Sequence, residues 1–287
     1  MSFLLRELKA EEFPALLREI PQPPKQLNLR GSLPSQQLKL LSIVGSRKYT
    51  TYGKDVVNHL LAGLANYPIG IVSGLALGID SLAHEAALAN NLYTLAIPGG
   101  GLDDKVIYPA KHKPLAYRIM EAGGGLLSEF EPNFKATKWS FPQRNRLVAG
   151  ISYATLLIEA EEKSGTLITA RLATDYNREL LVVPGNIFSK NTAGTHQFLK
   201  LGAIAITTSE DILDVFGISK SIKETSEPVY DLSETESAVI DLLHEPKSKD
   251  DLIRLLKKPT NETMMLLMQM EMKGYITESG GLLRAII

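Results

Sequence analysis

Cysteine is absent from the 287 residues, which removes disulfides, thiol nucleophiles and cysteine-based zinc sites together. Histidine is scarce at five residues, so metal or covalent chemistry has to be built from those and the carboxylates. A surplus of charge is missing as well: 31 Lys and Arg face 32 Asp and Glu, for a net charge of −1. Attraction of the whole chain for polyanions is thereby excluded, and any nucleic-acid site has to be a local patch. No apolar run approaches the roughly 18 residues that cross a bilayer, and the opening "MSFLLRELKAEEFPALL" mixes acids into its apolar residues. The expectation is a soluble, cytoplasmic protein with no membrane partner.

Several catalytic signatures are also lacking. His84-Glu85 opens an H-E-x-x pattern, but its fifth position is Leu88, so no zincin site forms and His84 reads as a packed helix residue. Gly53-Lys54 stand at the wrong distance from Gly45 for a phosphate-binding P-loop, and Asp55 follows where Ser or Thr is needed. "GGGLDD" from Gly99 is too short for a dinucleotide fingerprint, and the strand that should end in an acidic ribose anchor ends in Ser73. No metal, no cofactor and no catalytic residue are expected.

What is present has a clear order. Residues 1–37 form a Pro-rich lead-in ("PQPPKQLNLRGSLPSQQ") in which Pro21, Pro23 and Pro24 rule out helix, and it is expected to lie across the main domain. From Leu38, short apolar runs, four of them ending in Gly ("LKLLSIVG", "IGIVSG", "YTLAIPGG", "GLLSE", "ATLLIEA", "ELLVVPG"), alternate with segments of helical spacing. Continuous apolar strands separated by helices mean a parallel sheet covered on both faces. Residues 38–217 are therefore read as an α/β, Rossmann-like, doubly wound domain with a mainly parallel sheet. A polar linker is expected over 218–231, then a small domain over 232–287. There, Ser233 with Glu236 and Ser248 with Asp251 stand at helix-capping spacing, "TNETMMLLMQMEMKG" makes a third helix, and Gly280-Gly281 mark a hairpin turn. Three helices and a hairpin predict a winged-helix module.

In an open parallel sheet, ligands bind beyond the carboxyl ends of the strands, where helix N-termini present free N–H groups. Those ends read Gly45-Ser46-Arg47, Ser73-Gly74, Pro98-Gly99-Gly100-Gly101 and Ser164-Gly165-Thr166. Each combines a small residue with a hydroxyl, a backbone approach or an Arg that suits phosphate oxygens; the structural alternative is that the glycines only make tight turns. One further stretch stands out. "KWSFPQRNR" sets Lys138, Arg144 and Arg146 around Trp139 and Phe141 without a single acid. Cations that follow phosphates, beside an aromatic face that stacks on a base for roughly 1–3 kcal/mol, are what single-stranded DNA requires; duplex DNA buries its base faces. Pro142 disfavours helix at Phe141 and is expected to hold it extended in a loop. The alternative has Phe141 as a core plug and the arginines as surface decoration.

The motifs "VGSR" at Val44, "VSGLALGID" at Val72, "AH" at Ala83, "FPQRNRLVAG" at Phe141, "EAEEKSGTLITA" at Glu159 and "VPG" at Val183 follow one another in order. They resemble the DNA-processing protein A (DprA, also called Smf) family, over about residues 11–216. The resemblance implies a non-enzymatic protein that binds and protects incoming single-stranded DNA, forms a homodimer through its Rossmann-like domain, and loads the RecA recombinase during natural transformation. Carried onto this chain, it implies a DNA-binding groove of Ser46, Arg47, Gly74, Lys138, Phe141, Arg144, Asn145, Arg146, Ser164, Gly165 and Thr166. It assigns no role to Trp139, and the helical domain that precedes this region in many members is not expected here.

Two readings from other classes compete. A Rossmann-like nucleoside-monophosphate phosphoribohydrolase would use Pro98-Gly99-Gly100, Glu159 and Gly165-Thr166, although such enzymes keep these elements in one contiguous motif. A winged-helix regulator would read duplex DNA with its third helix, yet that segment has a single cation, Lys273.

Overall fold

The computed structural model describes residues 3–219 and 232–286. The chain divides into two compact units, residues 1–220 and residues 221–287.

The large unit opens with β1 (Leu5–Glu7), the short helix α1 (Ala15–Glu19) and β2 (Asn28–Gly31). The doubly wound pattern follows: β3 (Lys39–Val44), α2 (Thr51–Gly63), β4 (Ile69–Ser73), α3 (Ile79–Ala89), β5 (Tyr93–Ala96), α4 (Lys113–Glu121) and β6 (Gly125–Ser128). It continues through α5 (Ser140–Ile151), β7 (Ala154–Leu157), α6 (Thr166–Asp175), β8 (Glu179–Val182), α7 (Ala193–Lys200), β9 (Ile204–Ala205) and α8 (Ser209–Val215). These strands form one nine-stranded sheet in the order β1-β2-β6-β5-β4-β3-β7-β8-β9, parallel from β6 to β9. The fold is α/β, with a mainly parallel central sheet.

The continuous apolar strands are explained by what covers them. On one face Val44, Val72, Leu127 and Leu157 pack against Leu147 and Val148 of α5 and Leu167 of α6. On the other, Leu41, Ile43, Ile71 and Leu156 pack against Val57 and Leu61 of α2, Ala83 of α3 and Ile212 of α8. Neighbouring residues of one strand thus serve opposite faces, and both faces are dry.

The lead-in does more than lie across the domain. β1 pairs antiparallel with β2, and β2 pairs antiparallel with β6, so the lead-in extends the sheet by two strands. The three prolines sit in the connection between α1 and β2, where no ladder hydrogen bond is asked of them. β2 buries Asn28, whose Nδ2 donates to Phe130 O at 3.0 Å, and Arg30, which donates to Leu102 O and to Asp104.

The stretch "KWSFPQRNR" is also not an extended loop, because Phe141 and Pro142 lie in the first turn of α5. Proline is tolerated there, since the N–H it lacks has no acceptor inside the helix. Ser140 fixes the start: its Oγ accepts from Thr137 N at 2.9 Å and donates to Gly99 O at 2.5 Å, tying α5 to the loop after β5.

Of the expected linker, Ile218 is ordered against the large unit, with its N–H bonded to Leu213 O, and residues 220–231 lie outside the described residues. The small unit contains α9 (Glu234–Leu242), α10 (Lys249–Leu256), α11 (Thr260–Met272) and the antiparallel hairpin of β10 (Ile276–Ser279) and β11 (Leu282–Ala285). Ser233 and Glu236 cap α9 reciprocally, and the Ser248 side chain accepts from Asp251 N. Gly280 and Gly281, with φ of 62° and 78°, make the two-residue turn that a tight hairpin requires. Val239, Leu252, Leu267, Met270, Ile276 and Leu283 form its core. Among the described residues no helix is long and apolar enough to cross a membrane.

Candidate nucleic-acid interface

β3 lies between β4 and β7, and the chain winds outward from β3 through β4, β5 and β6 before returning to β7 on its other side. The loops after β3 and β7 consequently diverge, and the sheet opens a crevice at this switch point. A cleft of about 600 Å³ occupies it.

Ten of the eleven residues expected from the sequence meet in this cleft. Ser46 and Arg47 come from the loop after β3, Gly74 from the loop after β4, and Ser164, Gly165 and Thr166 from the start of α6. Lys138, Phe141, Arg144 and Asn145 come from the start of α5. The loops are tied across the opening, where Thr166 Oγ1 donates to Gly45 O at 3.0 Å and Ser46 N donates to Glu159 O at 2.7 Å, and the second loop is braced within itself, where Ser164 Oγ accepts from Thr166 N at 3.2 Å. Two helix N-termini, of α5 and α6, open onto the cleft and add a positive dipole end to it.

Arg47 is exposed, and its guanidinium carbon lies 5.4 Å from the centroid of the half-buried Phe141 ring. Behind this ring stands Gly99, where a Cβ would come within 2.5 Å of it. Tyr108 meets the same ring at 5.8 Å and 49°. Phe141 is neither a core plug nor loosely hung, because glycine, arginine and tyrosine hold it at the wall of the cleft.

Arg144 is 4 % exposed and works from beneath. It donates to the carbonyl oxygens of Gly74 and Ile97, and it attracts the buried Asp80 carboxylate, which accepts from Gly74 N at 3.1 Å. Burial pushes the Asp80 carboxyl up and the Arg144 guanidinium down, while each draws the other toward its charged form. Their joint effect is to fix the Gly74 loop; Arg144 is a positioning residue, its Nη1 committed to backbone carbonyls and its Nε to Asn145 Oδ1.

Arg146 does not line the cleft. Its guanidinium pairs with the buried Glu129 and donates to Gln22 O at 2.7 Å. The fourth loop, Pro98 to Gly101, is covered: Phe141 closes over Gly99, and Gly101 sits under the carbonyls of Glu131 and Pro132. Glu159 is turned away too, its carboxylate accepting from Thr50 N at 2.9 Å and Thr50 Oγ1 at 2.5 Å at the start of α2. The three elements that a phosphoribohydrolase would bring together therefore do not converge. His84 is buried in α3, its Nδ1 2.8 Å from Thr94 Oγ1, and burial lowers its pKa to about 3. No group of acids and histidines among the described residues could hold a metal ion.

Sequence reasoning missed Lys48, Asp80 and Glu161, which line the same cleft. Lys48 was detectable, being the next cation in the first strand-to-helix loop. Asp80 lay within a quoted motif but had no visible partner until Arg144 folded beneath Gly74.

Comparison with known proteins places this geometry. The sequence model of the family described as DNA recombination-mediator protein A matches residues 5–217. Protein Smf of Escherichia coli is 33 % identical over 280 residues, covering 95 % of this chain and 74 % of that protein. The structure of DNA processing protein A from Streptococcus pneumoniae superposes with a TM-score of 0.68 at 34 % identity, over 73 % of this chain and 74 % of that one. DNA processing protein A from Helicobacter pylori, solved for its single-stranded DNA binding mode, gives 0.66 at 31 % identity, over 75 % and 96 %. With the whole sheet and cleft inside the matched span, the chain belongs to the DNA recombination-mediator protein A family, the DprA/Smf proteins.

Proposed function

We propose that the cleft binds single-stranded DNA, with Arg47, Lys48 and Lys138 on the phosphates and Phe141 against a base. The observation that carries this is the pairing of three exposed cations with one held aromatic face at a single switch-point cleft. A duplex offers phosphates but no free base face, so it would leave Phe141 idle. The Helicobacter pylori relative, described as a single-stranded DNA binder, supports the same reading.

The protein would act in recombination, protecting single strands and loading RecA onto them, as a homodimer and without catalytic chemistry of its own. The small unit, with three helices and a hairpin, we read as a winged-helix accessory module. A salt series of fluorescence anisotropy on labelled poly-dT, set beside duplex of equal length, tests the central claim. Three phosphate contacts at about −0.7 each give a slope of log affinity against log salt near −2. Equal affinity for duplex, or no salt dependence, rejects the reading.

A further inference from the structure

Trp139 is not part of the cleft lining, although Lys138 before it is. Its side chain is 57 % exposed, yet it is not free to swing. The ring meets Phe134 edge-on at 5.5 Å and 62°, and Phe130 at 6.0 Å and 73°. Those two rings stack on each other at 4.7 Å and 14°. Their backbone is pinned in turn: Phe130 O accepts from Asn28 Nδ2 at 3.0 Å, and Phe134 O accepts from Gly101 N at 2.9 Å. The result is an indole held at its edge by a fixed pair of phenyl rings, with more than half its surface in water.

Core packing does not account for a tryptophan so exposed. A preorganised aromatic face between cations, here the exposed Lys135 and Lys138, is the combination that stacks on unpaired bases while attracting their phosphates. Of the neighbouring acids, Glu129 is neutralised by Arg146, while Glu131 keeps its charge and accepts from Gln26 Nε2 at 3.1 Å. Trp139 and Phe141 are two residues apart, so their Cα atoms are separated by at most about 7 Å. Trp139 has helical backbone at the N-cap of α5, so its ring and that of Phe141 point to different sides of the helix start; a strand seated at Phe141 has to turn around this N-terminus to reach the indole, a path of several nucleotides at about 3.4 Å each.

We infer that Trp139 is a second base-stacking contact, on a platform of its own outside the cleft, which lengthens the single-strand track begun at Phe141. This rests on reading the cleft as a single-strand site. The two ideas can fail separately, because the chain has one tryptophan and its fluorescence reports on this position alone.

The full chain is titrated with poly-dT of about 16 nucleotides, near the upper end of typical single-strand site sizes, with anisotropy and tryptophan emission recorded together. Emission should be quenched in parallel with binding, and still be quenched in Phe141→Ala at higher DNA concentration. Trp139→Ala should bind about tenfold more weakly with its salt slope unchanged. Trp139→Leu, which keeps apolar bulk over Phe134 but has no aromatic face, should show the same loss, and Trp139→Phe should restore most of the affinity. Binding without quenching, or Leu and Ala variants that bind like the parent, overturns the role of Trp139 and leaves the cleft reading intact. If the parent protein binds no single strand at all, both fall.

Discussion

The start of α5 and the surface of α11 both present large apolar side chains to water, and they differ in everything around them. At α5, Phe141 and Trp139 stand among Arg47, Lys48, Lys135 and Lys138. On α11, Met264, Met265, Met268 and Met272 are exposed along one helix, and the helix itself, Thr260–Met272, has Glu262 and Glu271 but no Lys or Arg. Flat rigid rings among cations suit bases and phosphates; flexible thioethers beside acids do not. A count of exposed apolar side chains alone would not separate the regions, but the rings at one and the charge that accompanies each do.

The largest test of this contrast lies beneath the cleft. Arg144→Ala leaves the Gly74 and Ile97 carbonyls without their buried donor, at about 1–3 kcal/mol each, and should destabilise the large unit by about that sum, seen as an earlier tryptophan-monitored denaturation. Unchanged stability with a reduced salt slope would instead make Arg144 a phosphate contact. Phe141→Ala comes next: it should weaken poly-dT binding by roughly 1–3 kcal/mol, leave the salt slope in place and shift the melting temperature little. A melting temperature lowered by many degrees, with normal binding by the folded fraction, would return the ring to the core.

Acid separates the two units. His84 is held neutral down to about pH 3, whereas its ordinary pKa is 6.5, so below that value the unfolded chain takes up a proton that the folded chain refuses. Its contribution to the large unit's stability is therefore full above pH 6.5 and falls by about 2 kcal/mol between pH 7 and pH 5. Glu236 in the small unit behaves in the opposite sense of charge: hydrogen bonding from Lys273 and Ser233 lowers its carboxyl to about 2 from 4.5. That contribution persists until the pH drops below 4.5. Chemical denaturation at pH 7 and pH 5, with His84→Gln as the reference, should show the slope in the large unit and its loss in the variant. A parent protein equally stable at both values contradicts the assignment.

The smallest effects refine the map. Arg47→Ala or Lys138→Ala should reduce the magnitude of the salt slope by about 0.7, while Arg146→Ala should leave it alone, since that guanidinium is committed to Glu129. Met268→Glu on α11 should not change affinity for poly-dT, and a clear loss there would move nucleic-acid contacts into the small unit.

Much of the sheet was legible because β3 to β8 are buried on both faces and so read as unbroken apolar runs. β2 was not, because "NLRG" satisfies its buried polar groups through partners distant in sequence, at Phe3, Leu102, Asp104 and Phe130. The cleft was legible as a set of loops, since strand ends carry their own small residues. The fates of Arg144 and Arg146 were not. In a helix, residues two apart point about 200° from each other, so only one of the two can face the switch point. Reading Pro142 as a helix breaker rather than a first-turn residue concealed that division.

Gly99 gives the cleft a lever that is not part of its lining. The only atom separating glycine from alanine would be placed where the Phe141 ring now rests, within 2.5 Å of it. The attitude of the aromatic wall is thus recorded at a position on a neighbouring loop, as an atom left out. Alanine there would act as a shim, forcing the Phe141 ring from its present place at the cleft wall while leaving the other lining residues unchanged. The setting of that wall can thus change through a residue that a search among the lining side chains would pass over.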